Sequence, residues 1–188
     1  MVEHCLYGIK VATEFPLFDS FAPMSAEAPG EHMALVLTVL SHPGTPVEYS
    51  REHSLYQTHG RELHIYTDRE LAASAEGQPW CLKVDGVVSF SWVGGTPAIA
   101  YQFHEQGTQE LLVFWFVHIF LPLYLTLERG WDFIHSAAVE IDEQPVLFVA
   151  PSTGGKSTLG DYFLKEGHAM LSDDKVATFL HSDEFWVV

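Results

Sequence analysis

The chain has 188 residues, enough for one well-buried core or two small ones. It carries 9 basic and 25 acidic residues, a formal net charge of −16. That surplus repels phosphate backbones and anionic lipid, which excludes nucleic acid and membrane surfaces as natural partners.

Residues 1–105 read as a small antiparallel β domain. Apolar or alternating runs at 6–11, 33–40, 63–66, 80–84, 87–92 and 98–103 predict strands. Turn signals separate them at Pro29-Gly30, His42-Pro43-Gly44, Asp85-Gly86 and Gly94-Gly95. Asp85-Gly86 is the strongest hairpin signal, because an Asp-Gly pair adopts positive φ with little strain. Nothing repeats at a fixed period. His42, His53, His59 and His64 lie in loop-rich sequence and are expected to face solvent. None of the eleven histidines forms an H-E-x-x-H or comparable cluster, which leaves no ground in the sequence for a zinc claim. Cys5 and Cys81 form neither a metal motif nor a disulfide framework, which favours reduced thiols in a cytoplasmic protein. No basic segment precedes an apolar run at the amino terminus, so no secretory signal is read there.

The run 111–127, LLVFWFVHIFLPLYLTL, carries no formal charge but includes His118 and Pro122. A spanning helix needs about 20 apolar residues. This run is shorter, and Gly130 follows it as a stop, so a buried core helix is expected instead. Trp80, Trp92, Trp115, Trp131 and Trp186 are expected in core or interface positions.

A second region, 106–188, starts with that helix and continues as α/β. Strands are expected at 133–141 and 146–149, with a turn at Asp142-Glu143-Gln144 between them. A helix at 156–166 follows, then a strand at 169–172 and a hairpin of 176–180 with 185–188. The chain stops on the apolar run Phe185-Trp186-Val187-Val188, whose strand partners are expected further on, so a truncated parent protein is expected.

Between the strand 146–149 and the helix lies Ala150-Pro151-Ser152-Thr153-Gly154-Gly155-Lys156-Ser157, followed by Thr158. This is G-x-x-x-x-G-K-[ST] with alanine in the first glycine position, in the strand–loop–helix setting that a phosphate loop requires. Consecutive backbone amides there wrap phosphate, and the helix amino terminus adds positive potential. Lys156 is expected to reach the terminal phosphates of ATP, and the Ser157 hydroxyl to ligate Mg²⁺. Asp173 and Asp174 stand at the end of the next strand, seventeen residues beyond Lys156. One helix and one return strand fill that gap, so the sheet is expected to bring the carboxylates back beside the loop. There they suit a metal ion or a general base.

The run FIHSAAVEIDEQPVLFVAPSTGGKSTLGDYFLKEGHAMLSDDKV resembles the catalytic core of HPr kinase/phosphorylase and its relatives, whose nucleotide-binding core is similar to that of phosphoenolpyruvate carboxykinase. The specific match runs from about 131 to 176. The family loop is typically G-x-S-G-x-G-K-S: Ser152, Gly155, Lys156 and Ser157 match, while Ala150 and Thr153 replace glycines. The resemblance implies that His135 is the active-site histidine and Lys156 the loop lysine. It makes Asp173 the carboxylate that accepts the hydroxyl proton, Ser157 a Mg²⁺ ligand and Asp174 an assistant to the metal. It further implies a kinase transferring the γ-phosphate of ATP to a serine-type hydroxyl on a protein, peptide or small molecule, with homo-oligomerisation open. The family continues past the Asp-Asp strand with a glutamate that completes the metal site. The amino-terminal half differs from true HPr kinases, so HPr is not implied as the acceptor. A nucleotide-binding regulatory or degenerate module without transfer is the alternative. A motor- or transporter-type ATPase fits less well, because its second acidic strand lies much further along the chain.

Overall fold

A computed structural model describes residues 1–17, 36–41, 49–70, 73–181 and 183–187. The turn signals Pro29-Gly30 and His42-Pro43-Gly44, the start of the 33–40 run and Ser182 lie outside the described residues. The fold is α+β and rich in strands, and it divides into two units, Met1–Arg129 and Gly130–Val188.

The first unit is an eight-stranded sheet followed by one long helix. Its strands are β1 (Val2–Leu6), β2 (Ile9–Thr13), β3 (Val36–Ser41), β4 (Arg51–Thr58), β5 (Arg61–Thr67), β6 (Pro79–Val84), β7 (Val88–Val93) and β8 (Ala98–Phe103). Their order across the sheet is β1-β2-β3-β8-β7-β6-β5-β4. The run expected as one strand at 6–11 is broken at Tyr7-Gly8, where φ is 49° and 70°. Positive φ at both central residues of a two-residue loop is the hairpin geometry that matches strand twist. The same device joins β4 to β5 at His59-Gly60, with φ 48° and 70°. The Asp85-Gly86 loop takes in Val87 as well, with Gly86 at φ 73°.

The sheet is not wholly antiparallel as expected. β3 runs parallel to both β2 and β8. Parallel neighbours need a crossover of a dozen or more residues, and the long connections from Thr13 to Val36 and from Ser41 to Ala98 supply that length. β4, polar at both ends, was not legible as a strand. His64, expected in a loop facing solvent, sits on β5 with its side chain only 16% exposed.

The helix, α1, spans Gln109–Arg129 and is, by length and composition, the one candidate membrane span among the described residues. Thr108 caps its start by accepting the Leu111 amide. One π-helical turn, Phe116–Phe120, interrupts it. Its apolar stripe lies on the sheet: the Phe120 ring centroid is 4.6 Å from that of Phe90 and 5.5 Å from that of Trp92. Glu128 accepts hydrogen bonds from Trp92 Nε1 at 2.8 Å and from the Gly95 amide at 3.0 Å. The helix therefore belongs to the first unit, and the boundary falls at Arg129/Gly130 rather than near residue 105. The reason is packing: Phe90 and Trp92 offer the apolar face this stripe needs. Trp80, Trp92, Trp115 and Trp131 are buried, as expected of core residues.

The second unit holds β9 (Asp132–Ile141), β10 (Gln144–Val149), α2 (Lys156–Lys165), β11 (Ala169–Ser172), β12 (Lys175–His181) and β13 (Glu184–Val187). β9 is the common neighbour. β10 flanks it on one side, β11 and β12 on the other, all antiparallel to it. The β9–β10 turn is Asp142-Glu143, both left-handed at φ 51° and 60°. Gly160 lets α2 approach the sheet: a Cβ there would lie 2.7 Å from Met170 Cε and 3.7 Å from Ala137 Cβ.

Candidate functional site

The geometry of the site follows from β9. Because β10 and β11 both run against it, their carboxyl ends leave the sheet at the same end. Val149 pairs with Ser136, Ser172 with Ala138 and Lys175 with His135. The glycine-rich loop thus starts on one side of residues 135–138 and Asp173-Asp174 lies on the other. Strands are spaced about 4.8 Å apart, so the two flanks are separated by about 10 Å.

Within the loop, Gly154 donates its amide to Pro151 O at 2.9 Å, and Gly155 caps α2 in the left-handed conformation at φ 85°. The two departures from the family pattern have local consequences. Thr153 is left-handed at φ 67°, a conformation that glycine holds freely and a β-branched residue holds only under strain. A Cβ at Gly154 would come within 2.7 Å of Ala150 Cβ and 2.9 Å of Pro151 O, so the methyl of Ala150 leaves room only for glycine there. Pro151, Ser152, Ser157 and Thr158 are exposed. The Thr153 hydroxyl donates to Ser152 O at 2.6 Å.

Lys156 is 8% exposed and points back into the loop. Its Nζ donates to Ala150 O at 2.9 Å and to Pro151 O at 3.4 Å. Burying an ammonium costs roughly several kcal/mol unless acceptors replace its water, and these two carbonyls are the replacement. The lysine is therefore folded back into its own loop, held by bonds to neutral acceptors.

On the other flank, His135 Nδ1 lies 2.9 Å from Asp174 O and 3.0 Å from Asp174 Oδ1. Both neighbours are acceptors, so Nδ1 carries a proton. Asp174 O also accepts the Ser136 amide at 3.1 Å, which locks the 172–175 turn onto β9. The Ser172 hydroxyl closes the same turn by donating to Lys175 O at 2.9 Å. Asp173, at the turn's apex, is exposed.

The fold thus joins His135 directly to Asp174, sets Asp173 beside them and starts the loop on the opposite flank of the same strand end. Lys156 bonds to its own loop rather than to a carboxylate. Sequence reasoning missed Lys175, which pairs across the strands with His135. Burial pushes its ammonium below the usual lysine range, against the opposing pull of Asp174. Its signal was present in the sequence as the residue directly after the Asp pair. No family model, no curated protein and no solved structure matches this chain.

Proposed function

We propose that the chain carries the nucleotide site of an ATP- and Mg²⁺-dependent serine-type kinase, with an HPr-kinase-like core related to that of phosphoenolpyruvate carboxykinase, working in the cytoplasm. The observation that carries this reading is the shared strand end: loop, histidine and acidic pair leave β9 at one level. The strands that carry the loop and the acidic pair flank β9 about 10 Å apart, a span that a triphosphate and its acceptor hydroxyl can bridge.

The residues present fit the nucleotide and its metal. The amides of 152–158 other than that of Gly154, which bonds to Pro151 O, and the amino terminus of α2 supply the donors of the proposed phosphate cradle. The Ser157 hydroxyl and the Asp174 carboxylate are hard oxygen donors of the kind Mg²⁺ takes. When bound, ATP·Mg²⁺ supplies the transferable phosphoryl group and most of the neutralising charge. Lys156 leaves the Ala150 and Pro151 carbonyls to meet the terminal phosphates. Asp173 takes the proton of the attacking hydroxyl, and His135 holds Asp174 in place through Nδ1. The acceptor is a hydroxyl on a protein, peptide or small molecule.

The test is ADP release and binding calorimetry with ATP and Mg²⁺. Asp173→Ala is expected to lower phosphoryl transfer at least 100-fold while nucleotide affinity stays within threefold, and Lys156→Ala to lose both, since positioned bases contribute about 10²–10⁴-fold. Full transfer activity in Asp173→Ala would remove that residue from its role.

A second reading, a nucleotide-binding module without transfer, draws on the Lys156 bonds to its own loop and on the strained Thr153. Tight ATP binding without any ADP release in the wild-type chain would favour it.

A further inference from the structure

A second cluster of chemistry lies in the first unit, where β5 meets the β6–β7 turn. Glu62 and His64 are two apart on β5, so their side chains share the face opposite Leu63 and Ile65. The turn is tied to this strand by the Asp85 amide, which donates to Glu62 O at 3.1 Å. As a result His64 Nε2 lies 3.7 Å from Glu62 Oε2 and 3.8 Å from Asp85 Oδ2. One donor atom from each of the three residues falls within 4.8 Å of the other two.

Three features set this apart from a solvated acidic patch. The imidazole is mostly buried, at 16% exposure, so it does not swing freely. Its Nδ1 lies 2.8 Å from Glu52 Oε1 without forming a hydrogen bond, so a carboxylate stands directly behind the ring. Carboxylates behind a ligating imidazole commonly orient it in metal centres. The one ammonium close by, Lys83, takes Asp85 Oδ1 at 2.8 Å and leaves Oδ2, the oxygen facing His64. Arg61 spends its guanidinium on Gln106 at 2.6 Å and on the Asp85 carbonyl at 3.4 Å. Three carboxylates around one imidazole, with one paired ammonium, leave an excess of negative charge about the ring.

We propose that Glu62, His64 and Asp85 bind a divalent ion of the zinc class. One imidazole nitrogen and two carboxylate oxygens form a borderline donor set that suits zinc and its first-row neighbours. An ion about 2.1 Å from each donor holds them about 3.4 Å apart in a tetrahedral shell. Shortening the 3.7 and 3.8 Å gaps from His64 Nε2 by a few tenths of an ångström takes small movements of both the Glu62 and the Asp85 side chains. The exposed side leaves the fourth position to water. The bound ion clasps the β6–β7 turn to β5, and it stands independently of any nucleotide site in the second unit.

Zinc titration of the full chain by calorimetry, without nucleotide, tests the site. One equivalent per chain is expected, with His64→Ala and Glu62→Gln each weakening it at least tenfold and Lys156→Ala leaving it unchanged. Cobalt in place of zinc is expected to give the strong visible absorption of a four-coordinate ion, lost in Glu62→Gln. Glu62 is exposed, so that variant folds even where His64→Ala does not. The proposal is overturned if the wild-type chain shows no saturable binding. It is equally overturned if Glu62→Gln binds with unchanged affinity, which puts the ion on other histidines.

Discussion

Thr153 holds the sharpest conflict between a residue and its position. Its φ of 67° belongs to the left-handed region, where a β-branched side chain clashes with its own backbone. Such strain costs on the order of 1–3 kcal/mol, and glycine relieves it at a smaller cost in chain entropy. Thr153→Gly is therefore expected to raise stability by about 1 kcal/mol, read as a higher urea midpoint with an unchanged slope. A lower midpoint would mean that the Thr153 hydroxyl bond to Ser152 O matters more than the backbone. The loop's place between a strand and a helix was legible at this scale, because Lys156 and Ser157 follow a glycine pair after an apolar run. The strain was not, because φ is a property of the closed loop.

Among the elements, α1 depends on an aromatic stripe and on polar bonds at its carboxyl end. Tyr124 is buried against Trp92 and donates its hydroxyl to Thr96 O at 3.0 Å. Burial first, and then the charge of Glu128, push its phenol up to about 12 from the usual 10. A raised folded-state value means that the neutral form is favoured by folding. Its contribution is complete below pH 10 and fades as pH climbs from 10 to 12. Tyr124→Phe is expected to lose about 1 kcal/mol at neutral pH, the worth of a buried hydrogen bond. Its stability curve is also expected to fall less steeply than the wild-type curve between pH 10 and 12. Burial also raises other tyrosines, among them Tyr66 and Tyr101, so the difference between the two curves is the measurement. A parallel fall in both would show that Tyr124 does not titrate with unfolding. The helix itself was legible from its uncharged run, whereas its π turn at Phe116–Phe120 answers to ring packing that no local pattern encodes.

At the scale of the whole molecule, a net charge of −16 surrounds a loop proposed to bind a triphosphate. Long-range repulsion slows the approach of ATP, and salt screens it, since the Debye length falls from about 30 Å at 0.01 M to about 8 Å at 0.15 M. The ATP association rate is accordingly expected to rise several-fold over that range, as seen by stopped-flow fluorescence. A rate that falls with salt would point to local positive potential outweighing the body of the protein.

Composition, turn residues and the glycine-lysine-serine run were enough to determine a β-rich first region and a mixed second region in which that run lies between a strand and a helix. These are short-range properties, set by backbone sterics and by periods of two or about four residues. Tertiary structure alone decided the rest. It gave α1 to the first unit, because Phe90 and Trp92 form the complementary apolar face. It made β3 parallel to its neighbours, because long connections permit a crossover. It brought Asp85 to His64 from a different strand pair, which no spacing along the chain foretells, since side-chain clusters are assembled by register and not by sequence distance.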